Sequence, residues 1–332
     1  MEMTSGRVLV TTAWLRPDDE VHRYLREAGL EVVHSSFKDR ARTGERLVDL
    51  VGAVDAIVAG TDPFTPEVFD AAPNLRVIGR TGVGYDNIDV EAATSRGIAV
   101  CPTPGVNRQS VAEHTIGLLL SAARMIPQNA AGVRGGGWDQ SSGRELGGAV
   151  LGVVGLGAIG KLVATMAQGL GMEVIAHDPF PDRDFIREHG IREASLDGLL
   201  AEADFVSLHL FLSPETHHLL DADAIAKMKD GAFLVNAARG GVVHEDALAD
   251  ALASGKLAGA ALDTVEVEPL PADSRLRGLD NLVITAHIGA ATVESRARSG
   301  MMAARSVVDG LEGLVPPQTV NPRCVEARTA TA

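Results

Sequence analysis

The feature of this sequence that most constrains its fold is an alternation of short apolar runs with segments of helical length. Continuous apolar strands separated by helices are typical of parallel sheets that are covered on both faces. The runs fall into two sets, so the sequence predicts two α/β domains, each with a parallel sheet that helices cover on both faces. The first set is RVLVTT, LEVVHSS, AVDAIVAG, LRVIGRTG and GIAVCP, and the second is AVLGVVG, MEVIAHD, DFVSLHL, AFLVNAA, GAALDTV and LVITAH.

Two helical segments predict where the chain passes between these domains. Residues 110–124 have an apolar helical face without a nearby Gly-rich hinge, which predicts a crossover helix into the second domain. The run ESRARSGMMAARSVVDGL predicts another amphipathic helix, which we expect to pack on the first domain. The first domain is therefore predicted to be discontinuous, with residues 1–105 and 291–332, and the second to contain residues 106–290, with a cleft between them.

Charge and cysteine content narrow the classes of function. The formal net charge of −14 argues against a nucleic-acid or anionic-membrane surface. The N-terminus lacks the apolar core of a signal peptide, and no apolar run reaches membrane-spanning length. Cys101 and Cys324 show neither metal-ligand spacing nor a disulfide framework, and clusters of Asp and Glu with such spacing are absent. We therefore expect a cytoplasmic protein without a bound metal, acting on a small molecule.

The segment GVVGLGAIGK has the glycine pattern of a dinucleotide-binding turn. Gly155, Gly157 and Gly160 follow an apolar strand and open a helix, so backbone N–H groups can reach a pyrophosphate at the helix N-terminus. Asp178 ends the next strand, where it would accept hydrogen bonds from the adenosine ribose and repel a 2′-phosphate. The pattern predicts NAD rather than NADP, and the alternative is a plain βα turn with a solvated aspartate.

Polar residues follow the strands of the second predicted sheet. The carboxyl ends of parallel strands share one edge, where open α/β sheets bind ligands, so these residues together predict a site. After the glycine loop they are Asp178, His209, Arg239, Asp263 with Glu268, and His287.

Arg239, His287 and a neighbouring carboxylate form a usable catalytic set. Arg239 offers a cationic fork for a substrate carboxylate, and His287 can give a proton to a carbonyl oxygen as a hydride arrives. Glu268 can hydrogen-bond the imidazole and favour its protonated form. Glu266 is the alternative carboxylate, and spacing alone does not choose between the two.

Other polar residues carry weaker signals. The turn RTGVGYDN is either a simple turn after a strand or a nest of backbone N–H groups that binds an anion beside Arg80, and spacing leaves both open. His217 and His218 are interpreted as a solvated surface pair. We interpret His114 as a packed or capping residue of the crossover helix.

The series of motifs resembles one family of enzymes over nearly the whole chain, from about Val8 to Pro322. The motifs are, in order, RTGVGYDNIDVEAA, PGVNRQSVAEHTIGLLL, LGVVGLGAIGK, LVNAARGGVV, ALDTVEVEP and TAHIGAAT. They resemble those of the D-isomer-specific 2-hydroxyacid dehydrogenases, in particular the D-3-phosphoglycerate dehydrogenase-like members.

The resemblance implies two Rossmann-like domains with doubly wound parallel sheets. It also implies an NAD-dependent oxidoreductase that interconverts a small 2-oxo acid and a D-2-hydroxy acid, as a homodimer that uses the crossover region. It implies catalytic roles for Arg239, Glu268 and His287, and so favours Glu268 over Glu266. The cofactor-binding residues are then expected to be Gly155, Gly157, Ala158, Ile159, Gly160, Asp178, His209, Ala237, Ala238, Arg239, Asp263, His287 and Gly289. The substrate-binding residues are expected to be Arg80, Val83, Gly84, Asn107, Arg239 and His287.

Departures from the family pattern bear on the substrate. The stretch AGTDPFT lacks the basic residue of many phosphoglycerate enzymes, which argues against phosphoglycerate itself. Arg80, Arg108 and Arg296 nevertheless allow a substrate that bears a phosphate or phosphonate. The alternative to an enzyme is a non-catalytic, NAD(H)-sensing binding protein that resembles a corepressor, and the complete catalytic set argues against it.

Overall fold

Two compact units make up the chain. The structure is a computed structural model that describes residues 6–36, 40 and 46–324. The first unit comprises residues 1–107 and 292–332, and the second comprises residues 108–291. Each contains a parallel sheet with helices on it, which confirms the two α/β domains and the discontinuous first one.

The first unit is built on a five-stranded sheet in which all paired strands are parallel. Its strands are β1 (Arg7–Val10), β2 (Glu31–His34), β3 (Ala56–Ala59), β4 (Val77–Arg80) and β5 (Ala99–Cys101), and the helices described before β5 include α1 (Glu20–Glu27), α2 (Pro66–Asp70) and α3 (Val90–Ser95). The strand order is β2-β1-β3-β4-β5. Each of these strands falls within an apolar run that the sequence predicted.

The second unit is built on a seven-stranded parallel sheet. Its strands are β6 (Val150–Val154), β7 (Glu173–His177), β8 (Arg192–Glu193), β9 (Phe205–Leu208), β10 (Ala232–Asn236), β11 (Leu257–Leu262) and β12 (Leu282–Ile284), and its α-helices are α4 (Arg108–Arg124), α5 (Ile126–Arg134), α6 (Ala158–Gly169), α7 (Arg183–Glu188), α8 (Leu196–Glu202), α9 (Ala222–Lys227) and α10 (Glu245–Ser254). The predicted crossover helix, residues 110–124, corresponds to α4, which begins two residues earlier.

The order of strands in this sheet is β12-β11-β10-β9-β6-β7-β8. After β6, the next strands β7 and β8 are added on one side of it, and β9 to β12 are added on the other side. Open α/β sheets bind ligands beside such a switch point in the strand order. Gly155 follows β6 directly, so the glycine loop lies at this position. Every residue of β9 and β10 is buried, which explains their continuous apolar sequences.

The closing helix, α11 (Val293–Leu311), belongs to the first unit and packs on its sheet. The helix approaches β4 so closely that a Cβ at Gly79 would fall on the backbone of Ala303. A Cβ at Gly310 would likewise meet the side chain of Val77. These small residues let the amphipathic helix and the strand exclude water between them, as expected for a helix that returns to the first domain.

No helix within the described ranges is both long and apolar enough to cross a bilayer.

Candidate active site

The glycine loop leaves open space in front of a helix N-terminus. Gly155 has a φ of 93°, in the left-handed region, and a Cβ there would fall on the carbonyl group of His209. Gly157 caps α6 without a side-chain hydrogen bond, and a Cβ on it would meet nothing within 4 Å. The first two helical residues are Ala158 and Ile159, as expected for the loop. Small residues, open space and an uncapped helix N-terminus fit the pyrophosphate of a dinucleotide.

Asp178 fixes this loop from the end of the neighbouring strand β7. Its Oδ2 accepts a hydrogen bond of 2.7 Å from the N–H of Leu156, between the two glycines. Its Oδ1 accepts a bond of 2.8 Å from the N–H of Phe180. Each carboxylate oxygen can accept a further hydrogen bond, so the group keeps the capacity to bind ribose hydroxyls. The residues present therefore fit NAD.

Asn236 organises the loop that carries Arg239. It is the last residue of β10 and is fully buried. Its Nδ2 donates to the carbonyl of Arg239 at 2.8 Å, while its Oδ1 accepts from the N–H of Ala238 at 3.0 Å. Ala237 and Ala238 are half-buried in this turn. The sequence analysis missed Asn236, although a single amide at the end of the apolar run AFLVN was the available signal.

Asp263 holds the turn on which His287 lies. Its carboxylate accepts hydrogen bonds from the N–H groups of Ile288 (2.9 Å) and Gly289 (2.7 Å) and from Oγ1 of Thr285 (2.5 Å). Nε2 of His114, on α4, lies 3.2 Å from Oδ1. Burial alone would raise the pKa of Asp263, but these hydrogen bonds outweigh it and hold the pKa well below its usual range.

These contacts assign Asp263 and His114 a positioning role within the second unit. The side chain of Asp263 is only 2% exposed, and its backbone carbonyl also accepts from the N–H of His287 at 2.8 Å. The contact between Asp263 and the cofactor therefore stays a prediction, whereas its hold on the His287 turn is observed. His114 is packed as the sequence analysis proposed, but its contact with Asp263 had no signal in the sequence.

His287 and Glu268 are in direct contact. Nδ1 of His287 lies 2.9 Å from Oε2 and 3.1 Å from Oε1 of Glu268. In the described part of the chain, Nε2 of His287 makes no hydrogen bond, and both side chains are exposed to solvent. The backbone of His287 has a φ of 51°, which is uncommon for a residue with a Cβ and is held by the bond to Asp263. A carboxylate at Nδ1 fixes the ring and leaves Nε2 for a reacting group.

Glu266 takes a different partner, so Glu268 is the one of these two carboxylates that contacts His287. Its Oε1 lies 3.1 Å from Nε2 of His218 and accepts a bond of 3.0 Å from the N–H of Glu245. The expectation of a solvated histidine pair is therefore wrong for His218. His217 is exposed, and its ring lies 3.8 Å from that of His218 between centroids.

His209 follows β9 beside the glycine loop. Its Nε2 lies 2.9 Å from Oγ of Ser207, and burial lowers its pKa to about 4. The imidazole is therefore neutral near pH 7 and contributes no positive charge to a bound dinucleotide. Its contact with the cofactor stays a prediction.

The expected substrate residues of the first unit lie after β4. The N–H of Thr103 donates a hydrogen bond of 2.9 Å to the carbonyl of Gly82 and so holds this turn. The guanidinium of Arg80 packs on Gly82. Val83 and Gly84 are half-buried, and within the described ranges their N–H groups donate no hydrogen bond. Such a turn can bind an anion through its backbone. Asn107 is the last residue of the first of the two segments that form this unit. Its role as a substrate contact stays a prediction.

Among the described residues, no group of three or more His, Cys, Asp or Glu side chains is arranged to hold a metal ion.

Comparisons with known proteins agree with the fold and with the dinucleotide-binding loop of the second unit. The family model described as the NAD binding domain of D-isomer specific 2-hydroxyacid dehydrogenases matches residues 116–289. A glyoxylate reductase of Korarchaeum cryptofilum is 40% identical over 95% of this chain and 98% of the relative. A D-3-phosphoglycerate dehydrogenase of Archaeoglobus fulgidus is 43% identical over 93% of this chain, which spans only 58% of that relative. The crystal structure of the TT0316 protein from Thermus thermophilus is similar with a TM-score of 0.84 and 40% identity, over 95% of this chain and 99% of that one.

The matched family model covers more than half of the 332 residues, and one relative is matched over almost its entire length. The glycine loop, Asp178 and the strand order supply the structural counterpart of that similarity. The chain therefore belongs to the D-isomer specific 2-hydroxyacid dehydrogenase family and is an NAD-dependent oxidoreductase of 2-oxo and 2-hydroxy acids.

Proposed function

We propose that the protein reduces a small 2-oxo acid to the D-2-hydroxy acid, and catalyses the reverse reaction, with Arg239, Glu268 and His287 as its catalytic residues. The observation that carries the proposal is the contact of 2.9 Å between His287 and Glu268. The two residues follow β12 and β11, at the same edge of the sheet as the glycine loop and Arg239. The proposed proton donor His287, the proposed ligand of the substrate carboxylate, Arg239, and the glycine loop thus lie at one edge of the sheet.

Each residue has one chemical task in this reaction. The guanidinium of Arg239 pairs with the substrate carboxylate and holds the neighbouring carbonyl group. NADH, when bound at the glycine loop, would supply the hydride for C2 of the 2-oxo acid. As the C–O double bond becomes a single bond, the oxygen takes a proton from Nε2 of His287, so the products are the 2-hydroxy acid and NAD⁺. Glu268 keeps the imidazole oriented through its contact with Nδ1 of His287.

The first unit supports a small acid as the substrate. The N–H groups of Val83 and Gly84, with Arg80 in the same turn, offer donors to a carboxylate. The stretch AGTDPFT of this unit contains no basic residue that could pair with a phosphate, and a glyoxylate reductase is 40% identical over 95% of this chain. We therefore place glyoxylate ahead of phosphorylated acids, while a substrate with a phosphate or phosphonate remains the second choice.

The test is a substrate panel with purified protein. Oxidation of NADH is followed with glyoxylate, pyruvate and 3-phosphohydroxypyruvate, for the wild type and for His287→Ala. We expect turnover of at least one acid and a loss of 100-fold or more in His287→Ala, since positioned acid–base groups contribute about 10²–10⁴-fold. His189→Ala, at the end of α7, is the matched control and should keep wild-type turnover.

Two outcomes would contradict the proposal. Unchanged turnover in His287→Ala would exclude the acid–base role of this residue. Tight NADH binding without turnover of any acid in a broad panel would instead favour the non-catalytic, NAD(H)-sensing protein.

We also propose a homodimer that uses the segment after α4. Apolar side chains are exposed there, with Trp138 80%, Ile126 52% and Val133 44% exposed. Exposed apolar residues grouped on one segment favour burial against a second surface. Light scattering of the wild type during size-exclusion chromatography should give twice the monomer mass. Trp138→Ser should shift the population towards monomer at low protein concentration. A monomeric wild type at micromolar concentration would contradict the dimer.

The proposed location is the reducing cytoplasm. Cys101 and Cys324 are both buried thiols, and burial raises the pKa of Cys101 to about 11, so this thiol is protonated and unreactive. Buried thiols without a disulfide are typical of reducing compartments. Fractionation of the source cells, with the protein detected by antibody, tests the location.

A further inference from the structure

His218 connects the two loops that carry the proposed catalytic residues. Its backbone N–H donates to the carbonyl of Gly241 at 2.8 Å, two residues after Arg239. Its Nε2 lies 3.1 Å from Oε1 of Glu266, two residues before Glu268. One residue therefore contacts the Arg239 loop through its main chain and the Glu268 loop through its side chain.

Glu266 anchors the second of these loops at two points. Its Oε1 accepts from the N–H of Glu245, the first residue of α10, at 3.0 Å. Its own N–H donates to Oε1 of Glu245 at 2.6 Å. The carboxylate of Glu266 thus joins His218 and the N-terminus of α10, and neither contact involves His287.

The two loops also meet through their backbones. A Cβ at Gly240 would overlap the backbone of Val265, so only glycine permits this approach. Gly240 directly follows Arg239, and Val265 directly precedes Glu266. A shift of the Glu268 loop is therefore transmitted to the Arg239 loop unless the contact opens.

The side chain of His218 is half-buried and makes several contacts. Its backbone has a φ of 51°, a left-handed conformation that residues with a Cβ rarely adopt. Its ring lies between those of His217 and His244, with centroid distances of 3.8 and 4.6 Å. His244 itself caps α10, where its Nδ1 accepts from the N–H of Ala247.

We propose that His218 is a positioning residue that keeps Arg239 and Glu268 in register through its contact with Glu266. The inference rests on the proposed function, because it takes Arg239 and Glu268 as catalytic residues. It assigns His218 no contact with substrate or cofactor. Loss of the imidazole frees the Glu268 loop from the 218–220 segment and lets Glu268 move relative to His287. A displacement of a catalytic group by even one ångström can lower turnover strongly.

The experiment compares three variants in the reduction of glyoxylate by NADH. His218→Gly removes the imidazole and suits the left-handed backbone, so the fold should be kept. We expect its kcat to fall about tenfold while KM for NADH stays within twofold, because the glycine loop is untouched. His218→Gln places an amide nitrogen near the position of Nε2 and should recover most of the loss. Met125→Gly is the control, since Met125 also has a φ of 51° in the same unit.

Amide hydrogen exchange gives a readout that does not depend on activity. In His218→Gly, the amides of residues 264–268 should exchange at least tenfold faster, whereas the strands β9 and β10 should exchange as in the wild type. A double-mutant cycle with Glu266→Ala should be non-additive, with the second substitution adding little to the first.

Three results would overturn the inference. They are a kcat within twofold of the wild type in His218→Gly, no rescue by His218→Gln, and full additivity with Glu266→Ala. If His287→Ala is inactive while His218→Gly is fully active, only the positioning role fails. If His287→Ala keeps its turnover, the proposed function fails and the role of His218 falls with it.

Discussion

Nδ1 of His287 contacts both carboxylate oxygens of Glu268, at 2.9 and 3.1 Å, so the charge of the carboxylate lies directly beside the proton-donating ring. Glu268→Gln keeps an acceptor oxygen near Nδ1 but removes this charge. We expect kcat for reduction to fall about 100-fold, within the range that positioned acid–base groups contribute. Measurement of kcat for the reduction of glyoxylate by NADH checks this expectation.

Glu173→Gln is the control for this substitution, because Glu173 is exposed at the start of β7. It removes the same charge at the opposite edge of the sheet. Equal kcat values for the two variants would show that the contact between Glu268 and His287 has no part in catalysis.

Asp178 supports the glycine loop and carries the charge that disfavours a 2′-phosphate. Asp178→Ala removes the acceptor for the N–H of Leu156 and the expected ribose contact. We expect KM for NADH to rise about tenfold, equivalent to about 1.4 kcal/mol of binding, with kcat little changed. The ratio of kcat/KM for NADPH to that for NADH should increase, because repulsion is removed. Asp184→Ala, an exposed residue on α7 paired with Arg187, should leave both constants unchanged.

Two glycines of the same loop should respond differently to one added methyl group. In Gly157→Ala the new Cβ meets nothing within 4 Å, so stability should be kept while KM for NADH rises tenfold or more. In Gly160→Ala the Cβ would overlap the carbonyl oxygen of Gly155, so unfolding should become easier by about 1–3 kcal/mol. Thermal unfolding and NADH titration of both variants separate the effects. Equal loss of stability would contradict the open space at Gly157.

The elements and the glycine loop could be predicted because their signals are local. β9 and β10 are buried at every position, and that burial is written in their composition. β8 was not predicted, since two exposed residues, Arg192 and Glu193, carry no apolar pattern. Strand ends could be placed at one edge from the parallel topology alone, which was enough to predict that Arg239 and His287 follow strands at the same edge.

The contacts that hold the site in place could not be predicted. His114 meets Asp263 across 149 residues of sequence, and His218 meets Glu266 across 48. Such pairs depend on how helices and loops pack, and the periodicity of apolar residues carries no information about that packing. A buried amide such as Asn236 leaves a trace in the sequence, but its partners within the turn do not.

Asp263 should contribute to stability in a pH-dependent way. Its folded-state pKa is held below the ordinary 3.8 by the hydrogen bonds from His114, Thr285 and two backbone N–H groups, which outweigh its burial. A carboxyl group with a depressed pKa stabilises the fold above its unfolded pKa, and the contribution is lost as pH falls through the folded value. Asp263→Asn directs an amide at groups that need an acceptor, so it should cost about 2–3 kcal/mol of unfolding free energy near pH 7.

Urea unfolding of the cofactor-free protein at pH 7, 5, 4 and 3.5 measures this contribution. The difference between wild type and Asp263→Asn should be constant from pH 7 to about 5 and should shrink below about 4, where the unfolded carboxyl group becomes protonated. The exposed Asp273→Asn controls for the loss of one acidic group and should differ little from wild type at any of these pH values. A difference that stays constant down to pH 3.5 would mean that packing, rather than the charge of Asp263, holds the His287 turn.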